Sequence, residues 1–323
     1  MKHLLRAGLI LSAALSLVAF LVSLYKAWNL YLFSPDAGSS LTYHFSLYLP
    51  DNRNSFFTGI IRGAEIAAAE LNSEVSIHSI DPSKNELETA AYTGVDGVIV
   101  CPYLDDALAR RQLEKLGEFQ MPVVLINHNL PHDQPWPFIG TNNFDMGRRI
   151  GQVSLNQGES DVRIALVYSD KAPGIYAERE LVEMGITAAL GDRLSGSIRS
   201  YRTNLNPLDA EALLYRLFRS QPGTGAEAAN EINTIVFTDT DDTIAAAQTL
   251  VDLNLVGQVN VIGFGSDPGV LESIRKGIVS CSVSINSERI GYQAVRSLTA
   301  LRTTGYTSTL IDTGVSIITE RDL

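Results

Sequence analysis

The sequence predicts an α/β protein with two doubly wound parallel-sheet lobes, preceded by one N-terminal transmembrane helix. Three observations predict it. The chain has 323 residues, which suits two domains of roughly 130–150 residues better than one core. From residue 41 onward, short β-rich runs alternate with helical runs of ten or more residues, the pattern of right-handed βαβ units around a sheet covered on both faces. The alternation runs to about residue 157 and then restarts, so two similar lobes follow.

The first lobe opens with "YHFSLYLP" (43–50) as a strand and "FFTGIIRGAEIAAAELN" (56–72) as a helix, apolar at Ile60, Ile61, Ala64 and Ala68. Strands at 75–80 and 97–102, a helix at 105–119, strands at 122–127 and 137–142, and a helix at 144–157 follow. The second round gives strands at 163–169, 196–202, 233–239, 259–264, 280–285 and 314–319. Between them lie helices at 176–191, 207–220, 242–254, 268–277 and 287–302.

Composition narrows the function classes. The chain is 45% hydrophobic and 19% charged, as globular proteins are. Its net charge is −11; an acidic surface repels phosphate backbones, and Lys and Arg are scattered, so no nucleic-acid partner is expected. The two cysteines, Cys101 and Cys281, have no metal-ligand spacing, and whether they pair stays open.

At the N-terminus, Lys2 and Arg6 precede "AGLILSAALSLVAFLVSLY", Ala7 to Tyr25, an uncharged run long enough to span a bilayer. A cleaved signal peptide would have a shorter apolar core and a small-x-small site; Tyr25, Lys26, Ala27 and Trp28 offer none. No cysteine follows the run, so no lipid anchor is expected. Tyr25, Trp28 and Tyr31 suit a membrane interface. The expectation is a signal anchor in residues 1–34, spanning about 7–25, with the remainder outside the cytoplasm.

Ligands of open parallel sheets bind beyond the carboxyl ends of the strands. Those ends hold Asp51 to Phe57, Cys101 to Tyr103, Asn127 to Asn129, Thr141 to Asn143, Ser169 to Lys171, Asp239 to Asp242, Gly265 to Asp267 and Asn286. Amides, carboxylates and hydroxyls pair with hydroxyl groups and aromatic rings cover C–H faces, a mixture suited to a polyhydroxylated ligand. Within "DTDD" (239–242), Asp242 reads as a helix N-cap. His78 reads as structural. EF-hand spacing is absent, so no calcium is expected. "GFGSDPG" (263–269) places its third glycine one position late for a dinucleotide fingerprint, and GxSxG, HExxH and Walker motifs are missing. No metal, no cofactor and no catalytic residue are expected; the chain reads as a non-enzyme.

Seven segments in order carry a resemblance: "NSFFTGIIRGAEIAAAEL", "GVDGVIVCP", "MPVVLINHNLP", "FIGTNNFDMGRRIGQ", "TIVFTDTDDTIAAAQTL", "VNVIGFGSDPGVLESIRKG" and "SINSERIGYQAVRSL". Over about residues 42–320 the chain resembles the ribose/galactose-type periplasmic sugar-binding proteins, whose fold the effector domains of lac-repressor-type regulators share. The resemblance implies a type I fold with a three-crossing hinge. It places the first lobe at 41–141 plus 286–304 and the second at 142–285 plus 305–323, with a sugar in the cleft between them. Asn54, Phe56 and Phe57 match first-loop ligand contacts, and Cys101 falls where a pocket asparagine often sits. Asn127 and His128 match an Asp-Arg pair, Thr141 a hinge-side hydroxyl, Thr240 and Asp241 an Asn-Asp pair. Phe264 and Gly265 match a Phe-Asp pair, Arg179 lies close to a family arginine, and Ile285 falls near a pocket glutamine, next to the strand-end candidate Asn286. Asn127, His128 and Gly265 remove charged partners of the usual sugar, which leaves Asp239, Asp241 and Asp267 as substitutes. The resemblance implies delivery of sugar to an ABC permease; the alternative is a receptor reporting it to a membrane histidine kinase or chemoreceptor. A repressor would need a helix-turn-helix where the apolar run stands.

Overall fold

The structure, a computed structural model, describes residues 16–26, 42–50, 55–81, 84–102, 105–130, 136–156, 161–169, 175–203, 207–218 and 232–323. Residues Met1–Thr42 form one unit and Tyr43–Leu323 another. In the first, residues 16–26 form helix α1, with Leu17, Val18, Phe20, Leu21, Val22 and Leu24 exposed. Among the described residues no helix is long and apolar enough to cross a membrane. Most of the first half of the expected span, residues 7–15, lies outside the described residues.

The second unit holds two six-stranded sheets. The first contains β1 (Tyr43–Pro50), β2 (Ser73–Ile80), β3 (Gly97–Val100), β4 (Val123–Ile126), β5 (Phe138–Gly140) and β11 (Leu310–Asp312), in the order β11-β5-β4-β3-β1-β2. All its pairings are parallel. The second contains β6 (Ile164–Ser169), β7 (Arg199–Thr203), β8 (Thr234–Phe237), β9 (Asn260–Phe264), β10 (Cys281–Ile285) and β12 (Val315–Ile318), in the order β12-β10-β9-β8-β6-β7. Only its edge pair, β10 with β12, is antiparallel. Each lobe thus starts in the middle of its sheet, steps outward once and then winds the other way, as doubly wound sheets do.

Helices cover both faces. On the first sheet, α2 (Ser55–Glu70) and α10 (Ser287–Thr304) close one side over Phe45, Leu47, Ile99 and Val124. The short α3 (Glu86–Thr89) and α4 (Asp106–Glu118) close the other over Val98, Val100 and Leu125. On the second, α5 (Asn143–Asn156) and α6 (Ile175–Leu190) pack over Leu166, Val236 and Ile262. Opposite them lie α7 (Pro207–Phe218), α8 (Thr240–Asp252) and α9 (Pro268–Arg275), over Val167, Ile235 and Val261. Burying a side chain such as Phe45, fully inaccessible, contributes about 1.5–3 kcal/mol.

Each lobe has one helix pair pressed together through glycine. A Cβ on Gly63 of α2 would stand 1.8 Å from the Glu288 carbonyl oxygen of α10, and one on Gly147 of α5 would stand 2.1 Å from that of Val182 in α6. Backbones approach that closely only where no side chain intervenes.

The chain passes between the sheets three times: after β5, after β10 and between β11 and β12. Thr313 N–H donates to the Gly140 carbonyl (2.8 Å) and Asn142 N–H to the Asp312 carboxylate (3.3 Å), so two crossings run side by side. The grouping of residues 305–323 with the second lobe is corrected in part: Leu310–Asp312 extends the first sheet beside β5. Three residues, with Leu310 exposed, carry too little alternation to be recognised as a strand. Cys101 and Cys281 are buried free thiols, and burial pushes the Cys281 thiol up to about 12.

Candidate functional site: the strand tips between the lobes

The carboxyl ends of the two sheets face each other. Ser55, at the start of α2 beyond β1, donates its hydroxyl to the Asp267 carboxylate beyond β9, at 2.7 Å. Asp267 is the N-cap residue of α9, yet its side chain makes no capping bond to that helix.

On the first lobe, Asn54 lies outside the described residues. Phe56 and Phe57 are half-buried at the start of α2, edge to face with centroids 5.3 Å apart, and both rest partly against the core. Cys101 is buried among core residues such as Leu49 and Ile126, beneath the tip surface where the sequence placed it as a contact. Asn127 takes a left-handed backbone conformation, φ 62°, which asparagine tolerates better than most residues. That turn sends the next side chain inward: His128 is 4% exposed, and its Nε2 lies 3.2 Å from Asp106 Oδ1 at the start of α4. His128 therefore braces the β4 tip against α4. Thr141, at the first crossing, has a buried hydroxyl with no hydrogen-bond partner among the described residues.

The second lobe is acidic where the first is aromatic and amide-rich. Asp239, not Asp242, is the N-cap of α8, accepting from the N–H groups of Asp241 and Asp242. Asp241 is exposed. Asp242 turns inward and is 1% exposed; Thr203 at the β7 tip donates to its Oδ2, and its Oδ1 has no partner among the described residues. Burial, reinforced by the neighbouring Asp239 and Asp241 carboxylates against the opposing Thr203 bond, raises its pKa to about 7. Burial also raises that of Asp239.

Gly265 has φ +90°, and a Cβ there would lie 2.3 Å from the Thr240 hydroxyl. An aspartate could not follow Phe264 without moving Thr240, so the missing carboxylate is built into the backbone path. Phe264 is half-buried, its N–H held by Thr243 Oγ1 at 3.0 Å. Arg179 binds its own lobe: Nη1 donates to the Tyr168 hydroxyl (3.2 Å), its guanidinium lies 5.4 Å from that ring's centroid, and Nε is 3.3 Å from Glu183. Asn286 is exposed and caps α10 through Oδ1, accepting from Arg289 N–H.

The aromatic pair, Thr141, Thr240, Asp241 and Phe264 thus lie at strand ends or at the first crossing, while Cys101, His128, Arg179 and Asn286 make the packing and bonding contacts within their own lobes given above. Thr203 was missed, although the one signal available, its place at the end of a strand, was present.

A model described as a periplasmic binding protein domain matches residues 45–305. The chain belongs to the periplasmic binding protein family. Among solved structures it is similar to GanP, a glucose-galactose binding protein from Geobacillus stearothermophilus, with TM-score 0.75, 20% identity, and 87% of this chain and 98% of that one covered. A solute-binding protein of an ABC transporter from Burkholderia graminis, in complex with D-arabinose, gives TM-score 0.75 at 16% identity over 87% and 96%. The XylFII-LytSN complex gives TM-score 0.72 at 23% identity over 88% and 100%. No curated protein sequence matches. In this family the two-lobe fold is a binding scaffold, and among the described residues no cluster of His, Cys, Asp and Glu could hold a metal.

Proposed function

We propose that this chain is an extracytoplasmic solute-binding protein that takes a sugar between its lobes and delivers it to an ABC transporter. One observation carries the reading: both sets of strand tips converge on one cleft, bridged by Ser55 and Asp267. Phe56, Phe57 and Phe264 lie at the same strand ends as Asp241, Thr240 and Thr141, and in this reading they line the cleft together. Rings cover C–H faces while polar groups pair with ring hydroxyls. The three crossings form the hinge about which the lobes close on ligand. Sugar-binding neighbours such as GanP support the ligand class. Residues 1–34 anchor the protein in the membrane with the lobes outside.

The second reading, a receptor passing the sugar signal to a membrane partner, is favoured by the likeness to XylFII, which is found in a complex with LytSN.

A thermal-shift screen of monosaccharides and short oligosaccharides tests the ligand class, since a tight ligand raises the melting temperature by mass action. No shift across the panel refutes the sugar. Asn127→Gly keeps the turn but removes the amide; a sugar shift that survives it leaves Asn127 as a turn residue only. Phe56→Ala should abolish the shift. Co-purification with a permease supports transport, and co-purification with a sensor protein supports signalling.

A further inference from the structure

We propose that two copies of this chain pair through β2, the outer strand of the first sheet, in one antiparallel register centred on Ser76. A sheet edge presents a row of unpaired N–H and C=O groups, which proteins blunt by keeping the edge short or by placing Lys, Arg or Pro on it. Of the four edge strands, β11 has three residues, β12 has four, and β7 carries Arg199 and Arg202 within five. β2 runs for eight residues, SEVSIHSI, and holds no Lys, Arg or Pro. It follows β1 in register along its whole length. Among the described residues no backbone group outside β1 bonds to it.

This edge is complementary to itself. Two copies of a strand, paired antiparallel about a two-fold axis perpendicular to the sheet, must set one residue opposite its own copy, because facing side chains share a side of the sheet. With Ser76 on the axis, Glu74 faces His78, Val75 faces Ile77 and Ser73 faces Ser79, each pair occurring twice. Opposite-charge and branched apolar cross-strand pairs stabilise sheets. An axis at Val75 would set Glu74 against Ser76 and Ser73 against Ile77. An axis at Ile77 would set Glu74 against Ile80. Only the Ser76 register matches acid with base and apolar with apolar.

The side chains concerned are ready for such a partner. Glu74 is exposed, and its carboxylate has no ion pair or hydrogen bond among the described residues. His78 stacks on Tyr48, with centroids 4.9 Å apart, and holds Nε2 at 3.3 Å from Ser46 Oγ. The tautomer that accepts from that hydroxyl leaves an Nδ1–H to donate to a facing carboxylate. Ile77 is 41% exposed, an apolar side chain left in water until Val75 of the second copy covers it. A foreign strand would need its own acid, base and aliphatic residues at matching places; this strand already carries them for a copy of itself. The crossings beside β5 and β11 lie at the opposite edge of the sheet, so pairing through β2 leaves the hinge clear.

The test uses the full-length chain in detergent and reads disulfide-linked dimer on non-reducing gels after mild oxidation. Cys101 and Cys281 are buried, so the wild-type chain gives the background. A residue facing its own copy has Cα atoms about 4.5–5.5 Å apart, within disulfide range, and Ser76→Cys links well above that background. Ser79→Cys, on the same strand, stays at background, because the two copies of residue 79 lie about 20 Å apart in this register. Adding Glu74→Lys to Ser76→Cys turns both acid–base pairs into pairs of bases and lowers the linked fraction about tenfold. Light scattering without any cysteine variant gives an independent reading: at about 100 μM, where small interfaces associate, the wild-type protein mass approaches twice that of the monomer and the Glu74→Lys mass does not. A Ser76→Cys chain that stays unlinked or, in intact membranes, links only to another protein overturns the pairing. Equal linking at positions 76 and 79, or a Glu74→Lys chain that dimerises as the wild type does, overturns the register.

Discussion

The two lobes share a frame and differ at their tips. Both have the same strand order through five parallel strands, and both press one helix pair together through glycine. Beyond the strands the chemistry parts. The first lobe presents an aromatic pair and folds His128 back onto Asp106. The second presents Asp239, Asp241 and Asp242, and buries the last of them. The frame is set by apolar periodicity and close backbone approach, which constrain both lobes alike. The tips lie outside that constraint, so each lobe can bring different groups to one ligand.

The shared frame breaks most visibly at its centre. Phe45→Ala in β1 and Phe237→Ala in β8, both at 0–1% exposure, should each cost about 3–5 kcal/mol in urea or thermal unfolding; a lobe that tolerates the change has a looser core than its partner. Next come the glycine crossings. Gly63→Ala and Gly147→Ala must separate packed helices and should each cost about 1–3 kcal/mol, lowering the melting temperature comparably. A large effect in only one would show that the equivalence of the two pairs is geometric, not energetic.

Asp242 sharpens the contrast between the tips. Its folded pKa, about 7, lies above the 3.8 of an unperturbed aspartate, so the native state holds the proton more tightly than the unfolded chain. Its favourable contribution is complete below pH 4 and is lost as pH rises through about 7. Asp242→Asn should leave stability near pH 4 almost unchanged and raise it by about 1–3 kcal/mol at pH 8, flattening the melting-temperature profile between. An unchanged profile would mean that Asp242 stays charged in the folded protein. The smallest effect belongs to the contact joining the lobes. Ser55→Ala deletes an exposed bond worth about 0.5–1 kcal/mol and should weaken ligand affinity about threefold by calorimetry.

Most of the frame was legible because long helices and buried strands advertise themselves through period and length. The helix predicted at 56–72 is observed at Ser55–Glu70, and the strand at 259–264 is Asn260–Phe264. Short elements were not: α3, at Glu86–Thr89, and β11 are too brief for a periodicity to form. At the tips, sequence position named the neighbourhood but not the direction of each side chain. His128 is turned by the left-handed Asn127, and Arg179 is held by Tyr168, eight residues before the predicted start of its helix at 176. The partner of His44, the Ser76 hydroxyl at 2.6 Å, likewise depended on strand order, which no local pattern encodes.

The path of the chain also orders its own synthesis. The first lobe begins at β1 but is completed only by α10, which seats on Gly63, and by β11 at Leu310–Asp312. At roughly 5–20 residues per second, a ribosome needs on the order of tens of seconds to pass from α2 to α10. Through that interval the emerging first lobe carries a face of β1, β3 and β4 covered only by α2, whereas α5 and α6 of the second lobe are separated by β6 alone. The half that is made first stays open until nearly the end of the chain, with only β12 of the other half still to follow β11, and it is the half that needs shielding while the rest is made.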